Sequence, residues 1–235
     1  MNVMAKRDAP VRPDLNNPEL NNLAMSKEAQ PLFDAVMKHI EENVAPISDK
    51  FFKLGEGRKE AWSWAPGQLE LLEGAKNKAK KSGLWNFFLP GSEIGRGLTN
   101  LDYAYIAAEL GKQPLASESL NCSAPDTGNM EVLEKVGTPE QKEKWLKPLL
   151  NGEIRSAYAM TEPNVASSDA KNVATRAELD GDDWVINGEK YYISGAGDPR
   201  CKIMITMVKT SPDASGSVFT MTIMILQRGS PAPEM

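Results

Sequence analysis

The sequence predicts an α+β chain: an N-terminal all-α helical bundle over residues 26–154, then an antiparallel β-barrel-like domain over residues 155–235, with an arm at 1–25 in front. Three observations carry this. Apolar residues recur at intervals of three and four through the first part, the period of an amphipathic helix. Helix-cap residues bracket those stretches. At Arg155 the pattern changes to short β-branched and aromatic runs set between turn residues.

Taken in order, the arm is rich in Pro, Asn and charge and reads as a mobile or docking segment. From Ser26 to about Ala45, Phe33, Val36, Met37, Ile40 and Val44 form one apolar face. A second helix begins near Pro66, carries Leu69, Leu72, Ala75 and Ala79 on one stripe, and stops at Gly83. The glycine-bearing apolar run "GLWNFFLPGSEIGRGLTN" reads as a loop. Thr99 or Asn100 then caps a third helix, "LDYAYIAAELG", which ends at Gly111. A fourth, "PDTGNMEVLEKVG", closes at Gly137. In "TPEQKEKWLKPLLNG" Thr138 is the N-cap, Pro139 sits at N1 and Gln141 at N3, a capping box with proline in its favoured slot. Pro148 is expected to bend or end this helix near its last turn.

Beyond Arg155 the segments "VATRAEL", "DWVI", "EKYYIS", "CKIMITMVK" and "FTMTIMILQ" read as strands. Asn187-Gly188 is expected to supply a two-residue hairpin turn pairing "DWVI" with "EKYYIS".

Composition narrows the function. The chain has 235 residues, 41% hydrophobic and 25% charged, which suits an ordinary globular protein with a core that needs no disulfides or metals. A formal net charge of -5 offers no electrostatic footprint for nucleic acid. No apolar run approaches the roughly 18 residues of a membrane span. Cys122 and Cys201 are too few for a disulfide framework or a thiolate metal site, and the N-terminus lacks a signal-peptide apolar region. A reducing cytoplasm is the expected compartment. His39 is the only histidine and reads as a structural helix residue, which excludes zinc sites built on clustered histidines and argues against a Ser-His-Asp triad. Neither a P-loop nor GxGxxG is present.

The join between the two parts carries the chemistry. "YAMTEPNVASSDA", from Tyr158 to Ala170, concentrates hydroxyl-bearing side chains around a Glu-Pro pair. An ordinary loop could have this composition, so its role is decided by what accompanies it. The sequence from Asn121 through this stretch, together with "WVINGEKYYISGAG", resembles the acyl-CoA dehydrogenase family, over about residues 26–227. "NCSAPDTGNMEVL" and "TEPNVASSDA" look most like its branch acting on long, branched or hydroxylated acyl chains.

The resemblance implies FAD as cofactor and an acyl-CoA substrate. The family reaction removes an α-proton and passes a β-hydride to the flavin, giving a trans-2-enoyl-CoA, with an electron-transfer flavoprotein as acceptor and a homo-oligomeric assembly. It places Tyr158 near the flavin ring, Met160 as a backbone contact and Thr161 as a hydroxyl donor. Ser167 would face the pyrophosphate or the acyl-CoA. One residue more than usual precedes Asp169, so either Ser167 or Ser168 fills the family's serine position. "YYIS" matches an aromatic-Ile-(Ser/Thr) triplet: Tyr192 would cover one flavin face, Ile193 follows it, and Ser194 would point its hydroxyl at the reacting nitrogen.

In the family the Glu of the Glu-Pro pair, here Glu162, is structural. The base comes from a C-terminal helical domain, and "QRGSPAPEM" departs from the pattern that leads into that domain. No catalytic base is therefore expected among these residues. Two other readings stand beside the dehydrogenase: a truncated, non-catalytic fragment with residual or no flavin binding, and a relative of acyl-CoA or nitroalkane oxidases that uses oxygen as acceptor.

Overall fold

The structure, a computed structural model, describes residues 23–90, 94–210 and 221–227, the last of these by backbone alone. The proposed arm, apart from its last three residues, and the tail after Gln227 lie outside the described residues.

The first helix, α1 (Gln30–His39), has proline in its first turn, where its missing N–H forgoes no intrahelical hydrogen bond. It does not stop at Ala45. A π-helical turn at Ile40–Val44 leads straight into α2 (Ala45–Gly55), which has Pro46 in its first turn. Proline lacks an N–H and its ring crowds the preceding turn; the wider π turn accommodates both without breaking the helix. The same device recurs at Pro148. There α7 (Pro139–Gln141) passes through a π turn at Lys142–Leu146 into α8 (Lys147–Leu150), so the expected bend is absorbed. The capping box at Thr138 is present as read, with Gln141 N donating to Thr138 Oγ1 at 3.2 Å and Thr138 N to Gln141 Oε1 at 3.0 Å.

Between these lie α3 (Gln68–Lys81), α4 (Asn100–Leu110), the short α5 (Ala116–Ser119) and α6 (Asp126–Val136). Thr99 is the α4 cap, accepting from Asp102 N at 3.1 Å. The loop "LWNFFL" is buried: Phe87, Phe88 and Leu89 join Leu72, Ile106, Leu120, Met130 and Leu149 in the core. A buried loop must satisfy its polar groups. Here Trp85 Nε1 and Asn86 Nδ2 donate to Leu150 O at 2.7 and 2.9 Å, so the loop caps the end of α8, and Asn121, just after α5, donates to Asn86 Oδ1 at 2.6 Å and to Leu149 O at 2.9 Å.

The sheet contains β1 (Arg155–Ala159), β2 (Arg176–Asp180), β3 (Asp183–Asn187), β4 (Cys201–Lys209) and β5 (Met221–Gln227). Its strand order is mixed, which corrects the antiparallel expectation. β1 runs parallel to β4 and β2 meets β4 in parallel, while β2–β3 and β4–β5 are antiparallel. A long crossover over residues 160–200 separates β1 from β4, and such connections join strands of the same direction.

The hairpin also differs from expectation. β3 pairs with β2 through a turn at Gly181-Asp182, with Asp180 opposite Asp183 and Gly181 at φ +63°. Gly188 serves a different need. At φ +155°, a Cβ there would lie 2.7 Å from Thr175 Cα, so glycine permits a backbone approach that no other residue allows. Residues 188–194 then leave the sheet.

The helical part is joined to the sheet by core packing, with Ile203 of β4 in the same cluster as the helices, and by a charged lock. Glu118 of α5 accepts Arg200 Nη1 at 2.6 Å, Lys76 Nζ of α3 lies at 3.1 Å, and Arg155 of β1 at 3.7 Å. Arg155 Nε also meets Asp126 of α6 at 2.9 Å. Asp126 in turn accepts Ser156 N and Oγ at 2.7 and 2.6 Å, anchoring the start of β1.

Candidate functional site

With its start anchored, β1 delivers the chain to Met160, Thr161 and Glu162 immediately beyond its last residue. Glu162 is 4% exposed, and its carboxylate is saturated. Oε2 accepts from Ala174 N at 2.6 Å, and Oε1 accepts from Thr175 N at 3.0 Å, Thr175 Oγ1 at 2.6 Å and Lys190 Nζ at 2.7 Å. Burial pushes its carboxyl up, but the hydrogen bonds from Lys190, Thr175 and Ala174 outweigh that and hold it down at about 2. A carboxylate held so low, with its lone pairs occupied, is a poor proton acceptor near neutral pH. Its work is architectural: it ties three chain segments together.

Ser167 belongs to the same knot. Its buried hydroxyl accepts the Glu162 N–H at 2.7 Å, whereas Ser168 is exposed. The knot reaches the second motif through Lys190, which also donates to Met160 O at 3.0 Å, and through Tyr191 N, which donates to Thr161 O at 3.1 Å. The two stretches singled out in the sequence are therefore direct neighbours.

What faces outward is aromatic and hydroxylic. Tyr158 is 37% exposed and Tyr192 is 85% exposed, its backbone at φ +52° and its ring 4.5 Å from that of Tyr191. Met160, Thr161 and Ile193 are half-buried, and Ser194 is exposed. Among the described residues no cluster of His, Cys, Asp and Glu suits a metal ion. The surface thus presents neutral donors and aromatic faces, and the Lys190 cation beside it is paired with Glu162. That donor set fits an uncharged heteroaromatic ring that accumulates electron density.

The pairing of Lys190, Thr175 and Ala174 with Glu162 was not legible in the sequence, because the carboxylate lies 28, 13 and 12 residues away and no local spacing marks such contacts. Nor was the lock around Glu118. An acid in a short helix, far from Arg155 and Arg200 in the chain, carries no local signal.

A helical domain feeding its last strand into a curled mixed sheet, with this knot at the join, defines an acyl-CoA dehydrogenase-type protein. The model for "Acyl-CoA dehydrogenase, N-terminal domain" matches residues 26–153, and that for "Acyl-CoA dehydrogenase, middle domain" matches residues 157–231. The chain belongs to the acyl-CoA dehydrogenase family. It is similar to the "Probable acyl-CoA dehydrogenase FadE2" of Mycobacterium tuberculosis, 56% identical over 146 residues, which cover 62% of this chain and 35% of that protein. An acyl-CoA dehydrogenase-type structure from Mycobacterium abscessus superposes with a TM-score of 0.78 at 42% identity, covering 88% of this chain and 52% of that one. A glutaryl-CoA dehydrogenase from Mycobacterium smegmatis in complex with FADH2 shares the fold, with a TM-score of 0.62 at 20% identity, covering 90% and 48% of the two chains. The chain therefore spans about a third to a half of the length of these relatives.

Proposed function

We propose that this chain is the N-terminal and middle portion of an FAD-dependent acyl-CoA dehydrogenase that converts an acyl-CoA to its trans-2-enoyl-CoA. The observation that carries the reading is the Tyr191 N–Thr161 O hydrogen bond, which brings "YAMTEP" and "YYIS" to one place. When bound, FAD supplies the hydride acceptor. The residues of this chain do the rest of the work assigned here: Tyr158 and Tyr192 offer ring faces, and Thr161 and Ser194 offer hydroxyl donors. Met160 and Ile193 contribute backbone and packing beside them. Ser168, exposed on the same loop, is available to the acyl-CoA, while Ser167 shapes that loop by holding the Glu162 N–H.

The proton-removing carboxylate is assigned outside these residues, since Glu162 is committed to its hydrogen bonds. An electron-transfer flavoprotein as acceptor and assembly into a homo-oligomer belong to the same proposal. Both cysteines are buried thiols, which suits the cytoplasm, and among the described residues no helix is long and apolar enough to cross a membrane.

FAD titration of the purified chain tests the reading. Thr161→Ala and Ser194→Ala should each weaken binding roughly twofold to tenfold, the worth of one neutral hydrogen bond of about 0.5–1.5 kcal/mol. A colourless wild-type chain that takes up no FAD would favour the second reading, a fragment without cofactor.

A further inference from the structure

The peptide bond between Met160 and Thr161 is trans, so its C=O and N–H point to opposite sides. Lys190 Nζ holds the Met160 carbonyl at 3.0 Å, and Tyr191 N holds the next carbonyl, that of Thr161, at 3.1 Å. Two successive carbonyls are thus turned toward the 190–191 segment. A regular strand would alternate them. The two N–H groups that follow, on Thr161 and Glu162, are turned away from that segment together. Successive N–H groups on one side form a concavity that favours negative charge. Ser167 Oγ takes the Glu162 N–H at 2.7 Å. Among the described residues no group takes the Thr161 N–H.

We propose that Lys190 is a positioning residue of the flavin site: by clamping the Met160 carbonyl and the Glu162 carboxylate together, it presents the Thr161 N–H as a fixed, neutral donor to the electron-rich edge of the ring. The inference rests on the flavin reading above. The cation does not itself serve the ring, because Glu162 lies 2.7 Å from it and cancels its charge. Its contribution is orientation. Its side chain is only 11% exposed, so its ammonium has little water to exchange for these two acceptors. A donor that is already oriented needs no reorganisation when charge develops on its acceptor, and this is where such a donor gains most over water.

The test compares the wild-type chain with Lys190→Arg and with the double variant Lys190→Met/Glu162→Gln, which removes both charges so that no buried ion is left unpaired. Two readouts are taken: FAD affinity, and residue-resolved amide exchange with and without FAD. In the wild type, FAD should slow exchange at the Thr161 amide, and the Tyr191 amide should already be protected without it. In the double variant, affinity should fall about tenfold, FAD should no longer protect Thr161, and the Tyr191 amide should exchange at least tenfold faster. The loss of protection should be larger at Tyr191 and Thr161 than at the amides of β1 and β4, whereas a merely structural role would lower all of them equally. Lys190→Arg, which keeps a cation with several donors, should recover most of the affinity. Wild-type affinity in the double variant with Thr161 still protected would overturn the Lys190 role while leaving the flavin site standing. Weakened binding with equal loss of protection across β1 and β4 would also overturn it. Failure of the wild-type chain to bind FAD would overturn the flavin reading itself, and this role with it.

Discussion

Replacing Glu162 by glutamine tests whether this carboxylate is architecture or chemistry. The substitution keeps the size and removes the charge from a site where four donors converge. The new amide can still accept on one atom, but its NH2 group would face a donor, either Ala174 N–H or the Thr175 and Lys190 donors. Lys190 would also be left without its counter-ion. Moving a carboxyl from its ordinary 4.5 to about 2 corresponds to about 3 kcal/mol of folding stability at neutral pH, at about 1.36 kcal/mol per pH unit. Breaking a buried ion pair by removing one partner costs a similar 3–5 kcal/mol or so. The sign follows from the depressed value. The contribution is complete above the unfolded carboxyl's 4.5 and is lost as pH falls from there through about 2, because protonation then cancels the same hydrogen bonds. Urea unfolding of wild type and Glu162→Gln, at neutral pH and at about pH 3, measures this directly. The expected result is a gap of about 3 kcal/mol at neutral pH that narrows on acidification. A variant within about 1 kcal/mol of wild type at neutral pH, or a gap unchanged by acid, refutes the reasoning. If FAD and acyl-CoA bleaching were rapid in the wild type and abolished in this variant, Glu162 would have to be reassigned as the base.

Glu118→Gln should cost about 1–3 kcal/mol, because it removes the carboxylate that Lys76, Arg155 and Arg200 share while each keeps a second one, Glu73, Asp126 and Asp198 respectively; thermal unfolding is the readout. Gly188→Ala places a Cβ 2.7 Å from Thr175 Cα, a backbone-attached atom that cannot swing aside. The expected cost is about 1–3 kcal/mol, seen as a lowered melting temperature, with weakened FAD binding because Thr175 supports Glu162. His39 is buried against Ser119, with Nε2 at 3.2 Å from its hydroxyl, and burial together with Lys78 pushes its pKa below 6.5. The unfolded chain therefore takes up the proton first, so stability should decline as pH falls below about 6.5; His39→Gln should flatten that slope in urea titrations between about pH 7 and 5.

Local signals determined much of the architecture. The Thr138-Pro139-Gln141 capping box, the Thr99 cap and the apolar faces of α1 and α3 were legible because each depends on residues within a few positions of one another. A change of character after Arg155 was legible too, but "RSAYA", which forms β1, alternates too poorly to be read as a strand. Signals whose meaning depends on distant partners were not. Pro148 was expected to bend or end its helix, yet the helix continues through a π turn, as it also does before Pro46. Asn187-Gly188 looked like a hairpin turn, yet Gly188 is needed where the backbone passes Thr175, and Gly181 makes the turn. The antiparallel expectation failed because strand direction is set by the long crossover between β1 and β4 and by the face each strand buries. Periodicity within a strand does not report either.

At the candidate site the division is the same. The residues proposed to meet the flavin, Tyr158, Thr161, Tyr192 and Ser194, sit in two compact motifs that the family resemblance marks. The residues that hold those motifs in register, Lys190, Thr175 and the hydroxyl of Ser167, acquire their roles only when a buried carboxylate gathers donors from across the fold. A buried charge must be satisfied by whatever groups the packed chain brings within hydrogen-bond reach. Only the tertiary structure decides which groups those are.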